Sequence, residues 1–140
     1  MAQIFLDTNV ISEISRKLPA PGVIAFFERE SDLWLSCFVL HELVHGFERL
    51  PEGDRKRQLA DRTQAVAFEF AGRIAPADEC VAEISGRLRG QAARLGRVLH
   101  PIDAIMAATA LARDAILATR NTRDFDGLGV KLINPWEASP

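Results

Sequence analysis

Apolar and polar positions change period repeatedly along this chain, and the changes lay out strands alternating with helices. Gln3 to Leu6 reads as a short buried strand. Asn9 to Arg16 follows with Val10, Ile11 and Ile14 on one side, the period of a helix. Pro19 and Pro21 interrupt the chain before a second helix through Val23, Ile24, Phe26 and Phe27. Leu33-Trp34-Leu35-Ser36 is strand-like. The next helix carries Val39, Leu40, Leu43, Phe47 and Leu50 and stops near Pro51-Glu52-Gly53. A longer helix runs from about Asp54 to Gly72, with Leu59, Val66 and Phe70 as its apolar line. After Pro76, residues Val81, Ile84, Leu88 and Leu95 recur at spacings of three, four and seven, an amphipathic helix. Pro101 suits the first turn of a helix, where its missing N–H would have no partner anyway. That helix, Ile102 to Arg113, is apolar almost all round and is therefore expected to be buried. Short strands at Ile116 to Ala118 and Val130 to Ile133 complete the pattern.

Strands separated by helices imply a parallel sheet covered on both faces, a three-layer α/β/α sandwich. No repeat, linker or low-complexity stretch divides residues 1–140, so a single domain is expected, and 140 residues suffice for a real core. Hydrophobic residues make up 48% of the chain, which excludes disorder as its main state. The longest apolar stretch, near Ile102 to Ala112, contains Asp103 and falls short of the ~18 residues a membrane span needs. The N-terminus lacks the basic and apolar regions of a signal peptide, so a cytoplasmic location is expected. Cys37 and Cys80 make no disulfide framework and read as buried thiols in apolar surroundings.

Candidate chemistry lies in four acids. Asp7 ends the first strand, Glu42 sits early in the third helix beside the apolar stripe, Asp103 opens the buried helix, and Asp124 closes a turn after the strand at 116–118. In parallel α/β sheets the binding crevice lies at the carboxyl ends of the strands. Each acid alone has a plain explanation: a helix cap, a first-turn acid, a solvated helix residue, a turn residue. Gathered in a partly dry pocket, the four would repel one another unless a cation sat among them. Oxygen-only donors suit a hard ion such as Mg²⁺ or Mn²⁺. The chain offers no Ser-His-Asp arrangement and no Gly-rich phosphate loop, since Gly127-Leu128-Gly129 precedes a strand and reads as a turn.

Leu6-Asp7-Thr8-Asn9-Val10, Glu42, Ile102-Asp103-Ala104-Ile105-Met106-Ala107-Ala108-Thr109-Ala110 and Thr119-Arg120-Asn121-Thr122-Arg123-Asp124-Phe125 occur in this order across almost the whole chain. The set resembles PIN-domain proteins, and among them VapC-type toxins of bacterial toxin–antitoxin pairs. The resemblance implies a compact α/β/α sandwich and a Mg²⁺- or Mn²⁺-dependent endoribonuclease. Carried over by motif, Asp7, Glu42, Asp103 and Asp124 would hold the metal and be catalytic. Thr8 and Asn121 would support them, with Thr119 a weaker candidate, and Asp126 competes with Asp124 for the metal-facing position. Hydrolysis by an activated water would leave a 5′-phosphate and a 3′-hydroxyl. The resemblance also implies an antitoxin partner lying in an apolar groove, for which Phe26, Phe27 and Phe47 are candidates, and a homodimer within a larger complex. A catalytically inactive binding module is the non-enzymatic alternative.

With a net charge of −2, RNA must be held by a local patch. Arg87, Arg89, Arg94 and Arg97 fall in a stretch without acids between Ile84 and His100 and are the candidate RNA contacts. Arg55, Lys56 and Arg57 are weaker, because acids flank them. One rival motif competes for Glu42: His41-Glu42-Leu43-Val44-His45 matches the H-E-x-x-H signature of zinc peptidases. His100 is the only other histidine available as a third ligand, and that reading leaves Asp7, Asp103 and Asp124 without a role.

Overall fold

The computed structural model describes residues 2–138. Its strands are β1 (Ile4–Leu6), β2 (Leu33–Ser36), β3 (Ile74–Ala75), β4 (Ile116–Ala118) and β5 (Leu132–Ile133). They form one parallel sheet in the order β3-β2-β1-β4-β5. The helices are α1 (Thr8–Ile14), α2 (Pro21–Arg29), α3 (Cys37–Glu48), α4 (Asp54–Glu69), α5 (Glu79–Arg94) and α6 (Pro101–Ala112), with 3₁₀ turns at Thr122–Phe125 and Pro135–Glu137.

All three residues of β1 are buried, as a central parallel strand requires when helices cover both faces. From β1 the chain steps to β2 and β3 on one side. It then crosses back to β4 and β5 on the other. Right-handed crossovers place the connections of these two halves on opposite faces. Helices pair within each half, α1 with α2, α3 with α4, and α5 with α6, while α6 also lies on β1 and β4. The small side chains Ala104, Ala107, Ala108 and Ala110 of α6 are fully buried and allow that close packing. Phe5, Leu6, Ile11, Phe26, Leu35, Met106 and Leu117 are the largest apolar side chains wholly out of water, each stabilising by roughly 1.5–3 kcal/mol.

Three expectations need correction. β3 is hidden in the sequence because its two residues carry no period of their own; it exists by pairing Leu35 with Ile74 and Ser36 with Ala75. Helix α4 has no fully buried residue: Val66 packs half-buried against the core, and Phe70, just past the helix end, enters it. Cys37 is half-buried and Cys80 exposed, so neither is the buried thiol expected from its apolar neighbours. Among the described residues no helix is long and apolar enough to cross a membrane.

Candidate active site

The strand order reverses between β1 and β4, where a crevice opens in parallel sheets. Leu6 and Ala118 are the last paired residues of those strands, so Asp7 and Thr119 emerge side by side. The Asp7 N–H still donates to the Ala118 carbonyl at 2.9 Å, which fixes the acid to the sheet. Asp7 also caps α1: its Oδ1 accepts the Thr8 N–H at 2.7 Å. Its Oδ2 accepts the Thr119 hydroxyl at 2.7 Å and the Asn9 amide at 3.4 Å. The helix-cap explanation and the site explanation therefore both hold for this residue. Asp7 is 6% exposed and Thr119 fully buried.

Glu42 stands in the second turn of α3, which Ser36 caps by accepting the Phe38 N–H at 3.2 Å. The Thr8 hydroxyl donates to Glu42 Oε1 at 2.5 Å, linking the acid of one helix to the start of another. Asp103 lies in the first turn of α6 behind Pro101, and Asp124 sits in the 3₁₀ turn after β4. The acids feel one another. Burial pushes the Asp103 carboxyl up to about 6, and repulsion from Asp7, Glu42 and Asp124 adds to it, with His100 opposing. Burial also raises Asp7, the Thr119 and Thr8 hydrogen bonds pull it down, and Glu42 and Asp124 push it up. Repulsion between Asp7 and Asp103 is mutual. Asp103 is the more readily protonated of the two, because Asp7 is tied by donors that favour its charged form, whereas among the described residues no donor reaches the Asp103 carboxylate.

Thr119 is more central than expected, since it also accepts the Asn121 N–H at 3.1 Å. Asn121 thus meets the site through its backbone. Asn9 is a site residue that the sequence reading passed over. Its amide reaches Asp7 and, at 3.5 Å, Thr119, while its Oδ1 accepts the Arg120 N–H at 3.4 Å. Its place two residues after Asp7 in the first motif was the available signal. Asp124, not Asp126, acts electrostatically on Asp7 and Asp103.

The donor set of the pocket is oxygen only, and its carboxylates repel one another. Both properties fit a hard divalent cation. Among the described residues no three Asp, Glu, His or Cys side chains close on a common point. His41 and His45 are exposed on α3, and His41 packs against the Phe38 ring with centroids 5.6 Å apart. Glu42 between them is engaged by Thr8.

Two of the four arginines expected to contact RNA donate to backbone carbonyls. Arg87 pairs with Glu83 at 3.7 Å, Arg89 donates to the Leu99 carbonyl at 3.0 Å, and Arg97 binds the carbonyls of Arg123 and Asp126. Arg94 is exposed at the end of α5. Arginines instead border a cleft of about 660 Å³ between α1, α3 and α4, which opens on Thr8 and Glu42. Arg49, Arg55 and Arg62 line it with Leu43, Phe47, Leu59 and Val66. Lys56 and Arg57 turn to Glu52 and Asp54 instead. Phe47 is thus a groove residue, Phe27 lines a neighbouring cleft of about 690 Å³, and Phe26 is wholly core.

The PIN-domain family model matches residues 4–131, a span that contains all four acids. The chain belongs to the PIN-domain family. It is 36% identical over 137 residues to the VapC ribonuclease Y4jK of Sinorhizobium fredii, covering 96% of this chain and 98% of that protein. It is 39% identical over 136 residues to toxin FitB of Neisseria gonorrhoeae, covering 95% and 98%. The crystal structure of FitAcB from Neisseria gonorrhoeae superposes with a TM-score of 0.87 at 38% identity, covering 96% of this chain and 99% of that one. The three-layer PIN architecture expected from the sequence is therefore the observed one.

Proposed function

We propose that this PIN-domain protein is the toxin of a toxin–antitoxin pair and a ribonuclease, working in the cytoplasm and restrained by a cognate antitoxin. The similarity to a VapC ribonuclease and to toxin FitB over nearly the full chain supports the activity class. The observation that supports the finer reading is that Asp7, Glu42 and Asp124, from three other elements, all repel the Asp103 carboxylate near the switch point of the sheet.

In this reading the four acids hold Mg²⁺, or Mn²⁺ in its place, mostly through water. Bound there, the ion supplies Lewis-acid activation of water and offsets the charge developing on the leaving 3′ oxygen of RNA. The chain's own residues prepare the pocket. Thr8 and Thr119 keep Asp7 ionised and oriented, so that it presents negative charge toward the cation. The Thr8 hydroxyl fixes the rotamer of Glu42. Asp103, whose carboxyl is raised to about 6, would yield its proton to a bound cation, so ion binding would be favoured as pH rises through about 6. Leu6, Ala104 and Ala118, next in the chain to Asp7, Asp103 and Thr119, are apolar and fully buried, so these polar groups stand at the edge of the core. A homodimer inside a larger complex with the antitoxin completes the proposal.

The test uses the chain purified away from its partner. RNA cleavage should require Mg²⁺ or Mn²⁺ and stop with chelator. The new 5′ ends should carry phosphate. Asp7→Asn should lower the rate by about 100-fold, at the upper end of what single changes around a metal cost. An inactive binding module would show no cleavage under any of these conditions, and a zinc peptidase would carry near-stoichiometric zinc.

A further inference from the structure

Asp124 differs from its three companions in how it is held. Asp7 is fixed by the sheet, and Glu42 and Asp103 ride on twelve-residue helices. Asp124 stands in a four-residue 3₁₀ turn, held locally by its N–H to the Asn121 carbonyl at 3.1 Å. The guanidinium of Arg97, 26 to 29 residues away in sequence, grips that turn at two points. Nη1 donates to the Arg123 carbonyl at 2.8 Å, and Nη2 donates to the Asp126 carbonyl. Asp124 lies between these two anchor points in the chain. Arg97 is itself anchored, its N–H donating to the Ala92 carbonyl at 2.9 Å beyond the end of α5. The turn also lies close against that segment. A Cβ at Gly127, whose φ is +75°, would sit 3.4 Å from Leu95 and 4.0 Å from the Arg97 guanidinium. A planar fork with fixed charge can bridge two carbonyls at once, which a lysine ammonium on its single point cannot reproduce.

We infer that Arg97 is a positioning residue: it clamps the carbonyls of Arg123 and Asp126 so that Asp124 faces the acid pocket, and so sets divalent-metal affinity rather than RNA affinity. The inference rests on the proposed metal-dependent nuclease. It replaces the expectation that Arg97 contacts RNA.

The test uses the full chain free of its partner. Three quantities are read: Mn²⁺ binding by calorimetry without RNA, the Mn²⁺ concentration for half-maximal cleavage, and KM for RNA at saturating Mn²⁺. Arg97→Ala should weaken Mn²⁺ binding and raise the half-maximal concentration by about 10-fold, the scale of losses when groups behind metal ligands are removed. KM should stay within about twofold, in line with a change that leaves substrate binding untouched. Arg97→Lys should fall between Arg97→Ala and wild type, and it carries the test if Arg97→Ala fails to fold. Arg94→Ala, exposed and nearby, should leave Mn²⁺ binding without RNA at the wild-type level. In an Asp124→Asn background, Arg97→Ala should weaken Mn²⁺ binding no further. A raised KM with unchanged Mn²⁺ binding would overturn the clamp in favour of an RNA contact. An equal loss in the Asp124→Asn background would reduce it to general packing. Calorimetry without RNA separates this failure from failure of the nuclease reading, which would appear as wild-type Mn²⁺ binding without cleavage.

Discussion

Asp103 is held well above the ordinary carboxyl range, and this has a consequence for stability. Its carboxyl titrates at about 6 in the folded chain against an ordinary 3.8. The folded state therefore binds this proton more tightly than the unfolded chain. The associated stability is fully present below pH 3.8 and is lost as pH rises through about 6. The group is only partly buried, so solvent screening reduces the size of the effect but not its sign. In chelator, the melting temperature of the wild type should fall between about pH 5 and 7 more than that of Asp103→Asn, and the variant should be the more stable of the two at about pH 7.5. Added Mg²⁺ should stabilise the wild type increasingly over the same range, because the ion competes with the proton. Parallel melting profiles for the two proteins would remove Asp103 from the pocket. At this scale much was legible. Asp7, Asp103 and Asp124 each stand beside a strand end or helix start that the apolar pattern marks, and Glu42 stands in the second turn of α3. Asn9 and the central position of Thr119 were not, because a hydrogen bond between residues 110 or 112 apart leaves no trace in local spacing.

Elements show where sequence reading loses its grip. The acid-free stretch from Ile84 to His100 suggests a basic groove, yet Arg89 donates to the Leu99 carbonyl within that stretch and Arg97 to carbonyls of the turn after β4. Arg55, set aside because acids flank it, lines the cleft beside the site. Charge along a chain does not reveal which neighbours the fold brings. β3 is a strand only through its partner β2. The docking of α2 against the 3₁₀ turn at Pro135–Glu137 is another contact of this kind, and it explains Gly22. A Cβ there would lie 2.6 Å from the Trp136 carbonyl oxygen and 2.9 Å from that of Pro135, both backbone atoms. Gly22→Ala gains up to ~1 kcal/mol of helix propensity. It meets an overpacking cost of roughly 1–3 kcal/mol. The net result should be a lower melting temperature by a few degrees, on the order of 2–8 °C. A variant that melts at or above wild type would show that this turn yields without cost. The indole of Trp136 also lies under the Arg120 guanidinium, 5.0 Å from its ring centre, so the same docking steadies the chain just after Thr119.

At the scale of the whole molecule, the −2 net charge hides an uneven surface. The cleft of about 660 Å³ runs from α4 to Thr8 and Glu42, with Arg49, Arg55 and Arg62 along it and Leu43, Phe47, Leu59 and Val66 beneath. Phosphates would suit the arginines, and Phe47 and Trp136 offer bases two rings to stack on, but Glu13 and Glu42 also line the cleft and would repel a nucleic-acid backbone. A protein segment bearing acidic and apolar side chains matches both parts, so the cleft suits the proposed antitoxin better than RNA. Such a segment would end over Glu42 and bar the pocket without touching Asp103. Reversing two charges, Arg49→Glu with Arg62→Glu, should weaken antitoxin binding by about 10-fold or more and reduce its salt dependence, since these side chains attract the partner at long range. Cleavage by the antitoxin-free variant should change much less, because neither arginine takes part in the hydrogen bonds around Asp7, Thr8 and Thr119. Titrating wild type and variant with antitoxin, and measuring RNA cleavage in parallel, separates the two occupants. If cleavage falls as far as antitoxin affinity, the cleft is the path of the RNA, and the inhibitor must reach the acids from the side of α6.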